Sequence, residues 1–181
     1  FPVEYRDRHD PSTFDVPMPG PEDAGQVPLI FRDLTREEKQ RIIASYYTST
    51  EYLDSNVGRV LEALDESGHR DDTIVVYIGD HGYSLGQHGR FEKHTMYEPA
   101  VRSPLLVRYP GQVEPNSVSE TFVEFVDLFP TLTSLCNLET PDTVEGRSFA
   151  DVLSGDAESH RDHVIVEYAE NEEIMMRDAR W

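Results

Sequence analysis

The sequence predicts an α/β fold, on three observations. A capping pattern at Thr35 to Glu38 opens a long run with apolar residues at helical spacing. A β-branched and aromatic stretch, Thr73 to Ile78, follows after a short polar turn and reads as a strand. A second apolar run, Ser103 to Tyr109, is closed by Pro110 and Gly111 and reads as another. Helix, short loop and buried strand in that order make an α/β unit.

Residues 1–34 contain six prolines and the run VPMPGPEDAG, and read as a long surface connection with Asp15 and Glu22 solvated. The Thr35 hydroxyl and the Glu38 carboxylate are placed to satisfy the first free N–H groups of a helix. Ile43, Tyr46, Tyr47, Leu53, Val57, Val60, Leu61 and Leu64 then recur at three-four spacing as far as Gly68, which predicts a core-facing stripe. A helix of about thirty residues would be roughly 50 Å long, with Gly58 as a place to bend. Pro99 restricts Glu98 to extended geometry, and Glu98 with Arg102 reads as a supporting pair. Phe122 to Leu138 has the spacing of a second helix beginning near Pro130, with Cys136 on its apolar face as a small buried hydrophobe. Residues 139–159 are mostly turn around Phe149, Val152 and Leu153, after which His163 to Tyr168 reads as a strand and Ile174 to Arg177 as the start of its partner.

The charge balance narrows the partners. Thirty-five acidic residues against sixteen basic ones give a formal charge of −19, and Lys39 and Lys93 are the only lysines. Such a surface repels nucleic acid and anionic membranes, so neither is expected as a partner. A salt-adapted source would account for the excess, because concentrated salt screens self-repulsion. No apolar run approaches the length of a membrane span, and Phe1 to His9 lacks the pattern of a leader; the compartment stays open. The single cysteine excludes an internal disulfide and a multi-cysteine zinc site.

Chemistry concentrates just past the first strand. Gly79 ends it, and Asp80, His81 and Gly82 lie at its carboxyl end, where open α/β sheets hold ligands. A carboxylate beside an imidazole offers oxygen and nitrogen to a divalent cation; a turn Asp with a solvated His is the alternative. Carboxylates favour hard cations such as calcium, magnesium and manganese, and imidazole tilts towards manganese or zinc. Lys93 follows Asp80 by thirteen residues in the same loop system.

Five stretches in order, YYTSTEYLDSNVGRVLEAL, VVYIGDHGYSLGQHGRFEK, HTMYEPAVRSPLLVRYPG, VDLFPTLTSL and EGRSFADVLSG, resemble the sulfatase family of the alkaline-phosphatase-like superfamily. The resemblance implies part of an alkaline-phosphatase-like α/β fold, with a mainly parallel sheet flanked by helices. Residues 1–138 would be the C-terminal part of the catalytic domain and 139–181 the start of a smaller C-terminal region. It implies a sulfuric ester hydrolase acting on a sulfate-ester small molecule or sugar. Asp80 and His81 would supply half of a metal site, with calcium as the ion and manganese as the alternative. Lys93 would bind the sulfate oxygens and serve catalysis, with His88 and His94 as further candidates and structural roles open for both. Asp-His at this point resembles choline-sulfatase-like, iduronate-sulfatase-like and phosphonate-monoester-hydrolase-like members. A phosphonate or phosphate ester hydrolase, or a non-catalytic metal-binding domain, therefore stands as an alternative.

The family's formylglycine nucleophile arises from a C-x-P-x-R or S-x-P-x-R motif that this stretch does not contain. Cys136 cannot replace it, since Leu138 stands where proline belongs and Thr140 where arginine belongs. The nucleophile, the remaining acidic ligands and the histidine that protonates the leaving group are expected upstream, in a missing N-terminal half that acts as partner. This chain alone is expected to be inactive.

Overall fold

The computed structural model describes residues 1–168 and 173–180. Mixed helices and strands form two compact units, one of residues 1–70 and 78–104, the other of 71–77 and 105–181.

In the first unit, helices α1 (Leu29–Arg32) and α2 (Arg36–Glu66) follow the proline-rich segment. Thr35 caps α2 as its sequence requires: the Thr35 hydroxyl accepts from the Glu38 N–H at 3.2 Å, and the Glu38 carboxylate accepts from the Thr35 N–H at 2.8 Å. The helix then runs unbroken past Gly58 and stops at Ser67, with Gly68 in the left-handed region.

The core-facing stripe of α2 is largely uncovered among the described residues. Ile43, Ala44 and Thr48 are buried, whereas Leu53 is 47% and Val60 69% exposed, and Tyr46, Tyr47 and Leu61 are exposed too. The N-terminal segment accounts for the covered end, because it packs on α2 rather than running free over the surface. The Phe14 ring lies 4.8 Å from Tyr47, Tyr5 meets Tyr52 edge-on at 5.2 Å, and the Gln40 amide donates to the Phe14 carbonyl at 2.8 Å. Asp15 and Glu22 are exposed, as their loop setting suggests.

Strand β1 (Val75–Ile78) pairs with β2 (Leu105–Arg108) in a two-stranded sheet. Both are shorter and less buried than their sequences suggest, with Ile78 42% and Leu106 60% exposed. Between them in sequence comes the one-turn helix α3 (Glu98–Val101). Glu98 is thus helical, not extended: Pro99 occupies the first turn, where a missing N–H costs nothing, and Tyr97 takes the extended position. Arg102 and Glu98 do approach, at 3.5 Å across one turn.

The second unit is built around Asp127, which is fully buried. It ends a 3-10 turn, Phe125–Asp127, ahead of α4 (Leu128–Leu135). Arg161 donates to both of its carboxylate oxygens, Nε at 2.7 Å and Nη2 at 2.5 Å. The Glu124 and Arg147 N–H groups and the His160 ring complete five contacts, which is how a buried carboxylate is tolerated. The second helix begins two residues before Pro130, again because Pro is harmless in a first turn. Cys136 is exposed, not buried, since it lies at the C-cap where the helix ends. A short helix α5 (Ala150–Ser154) follows the buried Phe149. Strands β3 (His163–Tyr168) and β4 (Glu173–Asp178) form an antiparallel hairpin in which His163 faces Asp178 and Tyr168 faces Glu173.

Candidate active site

Asp80 and His81 stand just beyond β1, in the first unit together with Lys93. The turn depends on Gly82. Its N–H donates to the Ala100 carbonyl of α3 at 2.8 Å, and a Cβ there would collide with the Pro99 carbonyl oxygen and lie 2.7 Å from that of Arg102. Only glycine lets the backbone come this close.

Both nitrogens of the His81 ring are engaged. Nδ1 lies 2.7 Å from the Gly82 carbonyl oxygen, which can only accept, so Nδ1 carries the proton. Nε2 lies 2.7 Å from Lys93 Nζ, which can only donate, so Nε2 presents a lone pair. A backbone carbonyl that fixes the tautomer in this way makes Nε2 the nitrogen with a lone pair to offer, and here Lys93 takes it. Asp80 Oδ2 is 3.5 Å from the same Nε2, and Asp80 Oδ1 accepts from the His81 N–H at 3.1 Å. The Asp80 side chain is 88% exposed and Lys93 is exposed, so the three groups meet at an open surface.

A carboxylate oxygen 3.5 Å from an imidazole nitrogen that carries a lone pair fits a share of a cation site. The pair fits only a share, since no cluster of three or more His, Cys, Asp or Glu suited to a metal occurs among the described residues. His94 follows Lys93 at the surface.

The structure thus brings Asp80, His81 and Lys93 together and gives His88 a different neighbour. His88 Nδ1 donates to Asp23 Oδ2 at 2.9 Å, and its ring stacks on Tyr97 at 3.8 Å with planes 7° apart. Asp23 was not legible as a site residue: it lies in the proline-rich segment among solvated acids, yet it is 8% exposed.

The Sulfatase family profile matches residues 1–138. N-acetylglucosamine-6-O-sulfatase of Bacteroides thetaiotaomicron is 36% identical over 123 residues, covering 68% of this chain and 22% of that protein. Iduronate 2-sulfatase of Homo sapiens is 31% identical over 163 residues, covering 77% of this chain and 28% of that protein. Among solved structures, phosphonate monoester hydrolase from Silicibacter pomeroyi superposes with a TM-score of 0.82 at 32% identity, covering 92% of this chain and 37% of that one. The chain therefore spans well under half the length of these relatives, and its units correspond to part of an alkaline-phosphatase-like α/β fold. With the profile extending over most of its length and through Asp80, His81 and Lys93, the chain belongs to the Sulfatase family.

Proposed function

We propose that the protein to which this chain belongs hydrolyses sulfate monoesters of a small molecule or sugar. The observation that carries this reading is the convergence of the Lys93 ammonium and the Asp80 carboxylate on His81 Nε2, at 2.7 and 3.5 Å, at the end of β1 within the family match. In it, the Lys93 ammonium leaves His81 Nε2 for the sulfate oxygens, and the lone pair so freed joins the Asp80 carboxylate in holding a divalent cation. The exposed carboxylate favours a hard ion, and with the family resemblance this makes calcium the choice and manganese the alternative. When bound, such a cation supplies positive charge to the sulfate oxygens as negative charge grows on them. Lys93 adds a fixed charge at the same place, which counts most where it strengthens in the transition state. The nucleophile, a formylglycine in this reading, and the remaining metal ligands come from the N-terminal half.

The second reading, a phosphonate or phosphate ester hydrolase, is favoured by the close superposition on the Silicibacter enzyme. Both anions are tetrahedral and ask for similar clamps. The sulfatase names of the sequence relatives favour sulfate. A third reading is a metal-binding domain without turnover.

The full-length protein decides among them when assayed with an aryl sulfate and a phenyl phosphonate monoester. Faster turnover of the sulfate, reduced roughly a hundredfold by Lys93→Ala, supports the first reading. Faster turnover of the phosphonate supports the second, and a calcium-dependent rise in melting temperature without turnover supports the third. The same thermal shift, lost in Asp80→Ala, tests the ion assignment independently of activity.

A further inference from the structure

We infer that Asp23, His88 and Tyr97 form a brace that positions Lys93 and His81, so that His88 serves the reaction through its neighbours rather than by touching sulfate. The inference rests on the reading of Lys93 given above.

The loop from Tyr83 to Glu92 is a narrow arm with His88 at its tip. Its two legs are bonded to each other rung by rung: the Tyr83 hydroxyl donates to the Phe91 carbonyl at 2.7 Å, the Ser84 N–H to that of Glu92 at 2.9 Å, and the Gly86 N–H to that of Arg90 at 2.8 Å. One leg starts beside His81 and Gly82, and the other ends at Lys93. Where the tip is held therefore sets where both site residues stand at the base.

Asp23 holds the tip. Its carboxylate accepts from His88 Nδ1 at 2.9 Å and from the Tyr97 hydroxyl at 3.4 Å. The Asp23 side chain is nearly buried, and its backbone is fixed in turn, with its N–H on the Gly20 carbonyl at 3.1 Å and its carbonyl accepting from Gln26 at 2.8 Å. Arg90 ties the same segment down by donating to the Gln26 carbonyl at 2.9 Å. His88 adopts a left-handed backbone with φ of 53°, a conformation rare outside glycine that persists where the surroundings impose it. Next to it, Gly89 rests so closely on Val27 that a Cβ would lie 2.6 Å from a Val27 methyl.

Tyr97 carries the brace to the other side of the site. Stacked on His88, it is followed at once by α3, and the Ala100 N–H donates to the Tyr97 carbonyl at 2.8 Å. The Ala100 carbonyl in turn accepts from Gly82, the residue whose carbonyl fixes the His81 tautomer. Asp23, through two hydrogen bonds, thus steadies both partners of the His81 and Lys93 contact. Displacing a reacting group by about 1 Å can cost on the order of a hundredfold in rate, so a brace of this kind is worth keeping.

The test uses the full-length protein with an aryl sulfate, with thermal melts confirming folding. His88→Ala and Asp23→Asn are expected to lower kcat by about ten- to a hundredfold. In a Lys93→Ala background, the same changes are expected to cost at least about threefold less than in the parent protein, because only the His81 side of the brace is left to act through. His88→Asn keeps an N–H for Asp23 and tolerates the left-handed backbone, so it is expected to recover most of the rate. Amide deuterium exchange across residues 83–93 is expected to speed up in His88→Ala and to stay unchanged in Lys93→Ala. An undiminished loss in the Lys93→Ala background would mean that His88 acts by itself, and would overturn the inference. So would unchanged exchange in His88→Ala. If Lys93→Ala leaves turnover intact, it is the sulfate-clamp reading that fails, and the exchange measurement still decides whether the brace exists.

Discussion

His81 Nε2 accepts from Lys93 Nζ at 2.7 Å while the opposite ring nitrogen donates to the Gly82 carbonyl, also at 2.7 Å. The imidazole is thereby locked in one tautomer by two contacts, and the lysine that would meet the sulfate is registered against the residue that would meet the metal.

That registration predicts a difference between two cations of equal charge. A guanidinium is a planar fork and does not place its charge where a compact ammonium does. Lys93→Arg in the full-length protein should recover only part of the roughly hundredfold loss, on the order of 3 kcal/mol, expected for Lys93→Ala. Lys39→Ala, in the first turn of α2, should leave the rate unchanged. Steady-state kinetics on the three variants would contradict the assignment if Lys39→Ala proved as damaging as Lys93→Ala.

Gly82→Ala should be disproportionately harmful for one methyl group. The new Cβ meets the backbone carbonyls of Pro99 and Arg102, neither of which can swing aside as a side chain would. Overpacking of this kind costs about 1–3 kcal/mol, and here it also pushes His81 away from Lys93. Both the melting temperature and the calcium-induced thermal shift should fall. A variant that keeps both would show that the turn has more room than its geometry implies.

Asp127 predicts an acid sensitivity. Burial alone would push its carboxyl up, but the Arg161 guanidinium, the Arg147 and Glu124 N–H groups and His160 outweigh it and hold the group well below the usual carboxylate range. A folded value below the unfolded value of about 3.9 means that the stabilisation is complete above that pH and drains away as the pH falls through the folded value. Asp127→Asn should lose about 3 kcal/mol near neutrality, because Arg161 loses its fully buried counter-charge and keeps only Glu124, at 3.0 Å. The variant should also show a flatter decline in acid. Urea unfolding between pH 3 and 7 checks this, and parallel pH profiles for the two proteins would count against it.

The formal charge of −19 predicts that stability rises from low to molar sodium chloride, beyond the range that screens single ion pairs. Thermal melts across that range are the measurement. A flat or falling midpoint would mean that carboxylate repulsion does not limit this fold.

What could be read from the sequence was what is local. The Thr35 cap needs only Glu38, three residues away, and α2 begins where that pair places it. The hairpin of β3 and β4 joins neighbouring segments and was legible for the same reason. Asp80, His81 and Lys93 share one loop system, so their spacing carried their association. Asp23 carries no such signal, because its partner His88 is distant in sequence and nothing in a proline- and glycine-rich run marks one acid among several as buried. Asp127 carries none either, since its role depends on Arg161. The exposure of the α2 stripe and of Cys136 is not legible, because apolar spacing reports which face of a helix seeks cover, not whether these residues supply it.

The 65-residue separation between Asp23 and His88 also bears on the order of events in folding. Joining two points that far apart on a flexible chain costs roughly 4 kcal/mol of loop entropy. Between them lies α2, whose 31 residues can form from contacts within a few positions and then act as a rod of about 46 Å. Local structure tends to precede such long-range closure, so the arm that carries Lys93 would be among the last parts to set, after the helix has shortened the search. In refolding experiments, α-helical signal should therefore return ahead of exchange protection in residues 83–93, which makes competence for chemistry a late acquisition of the chain.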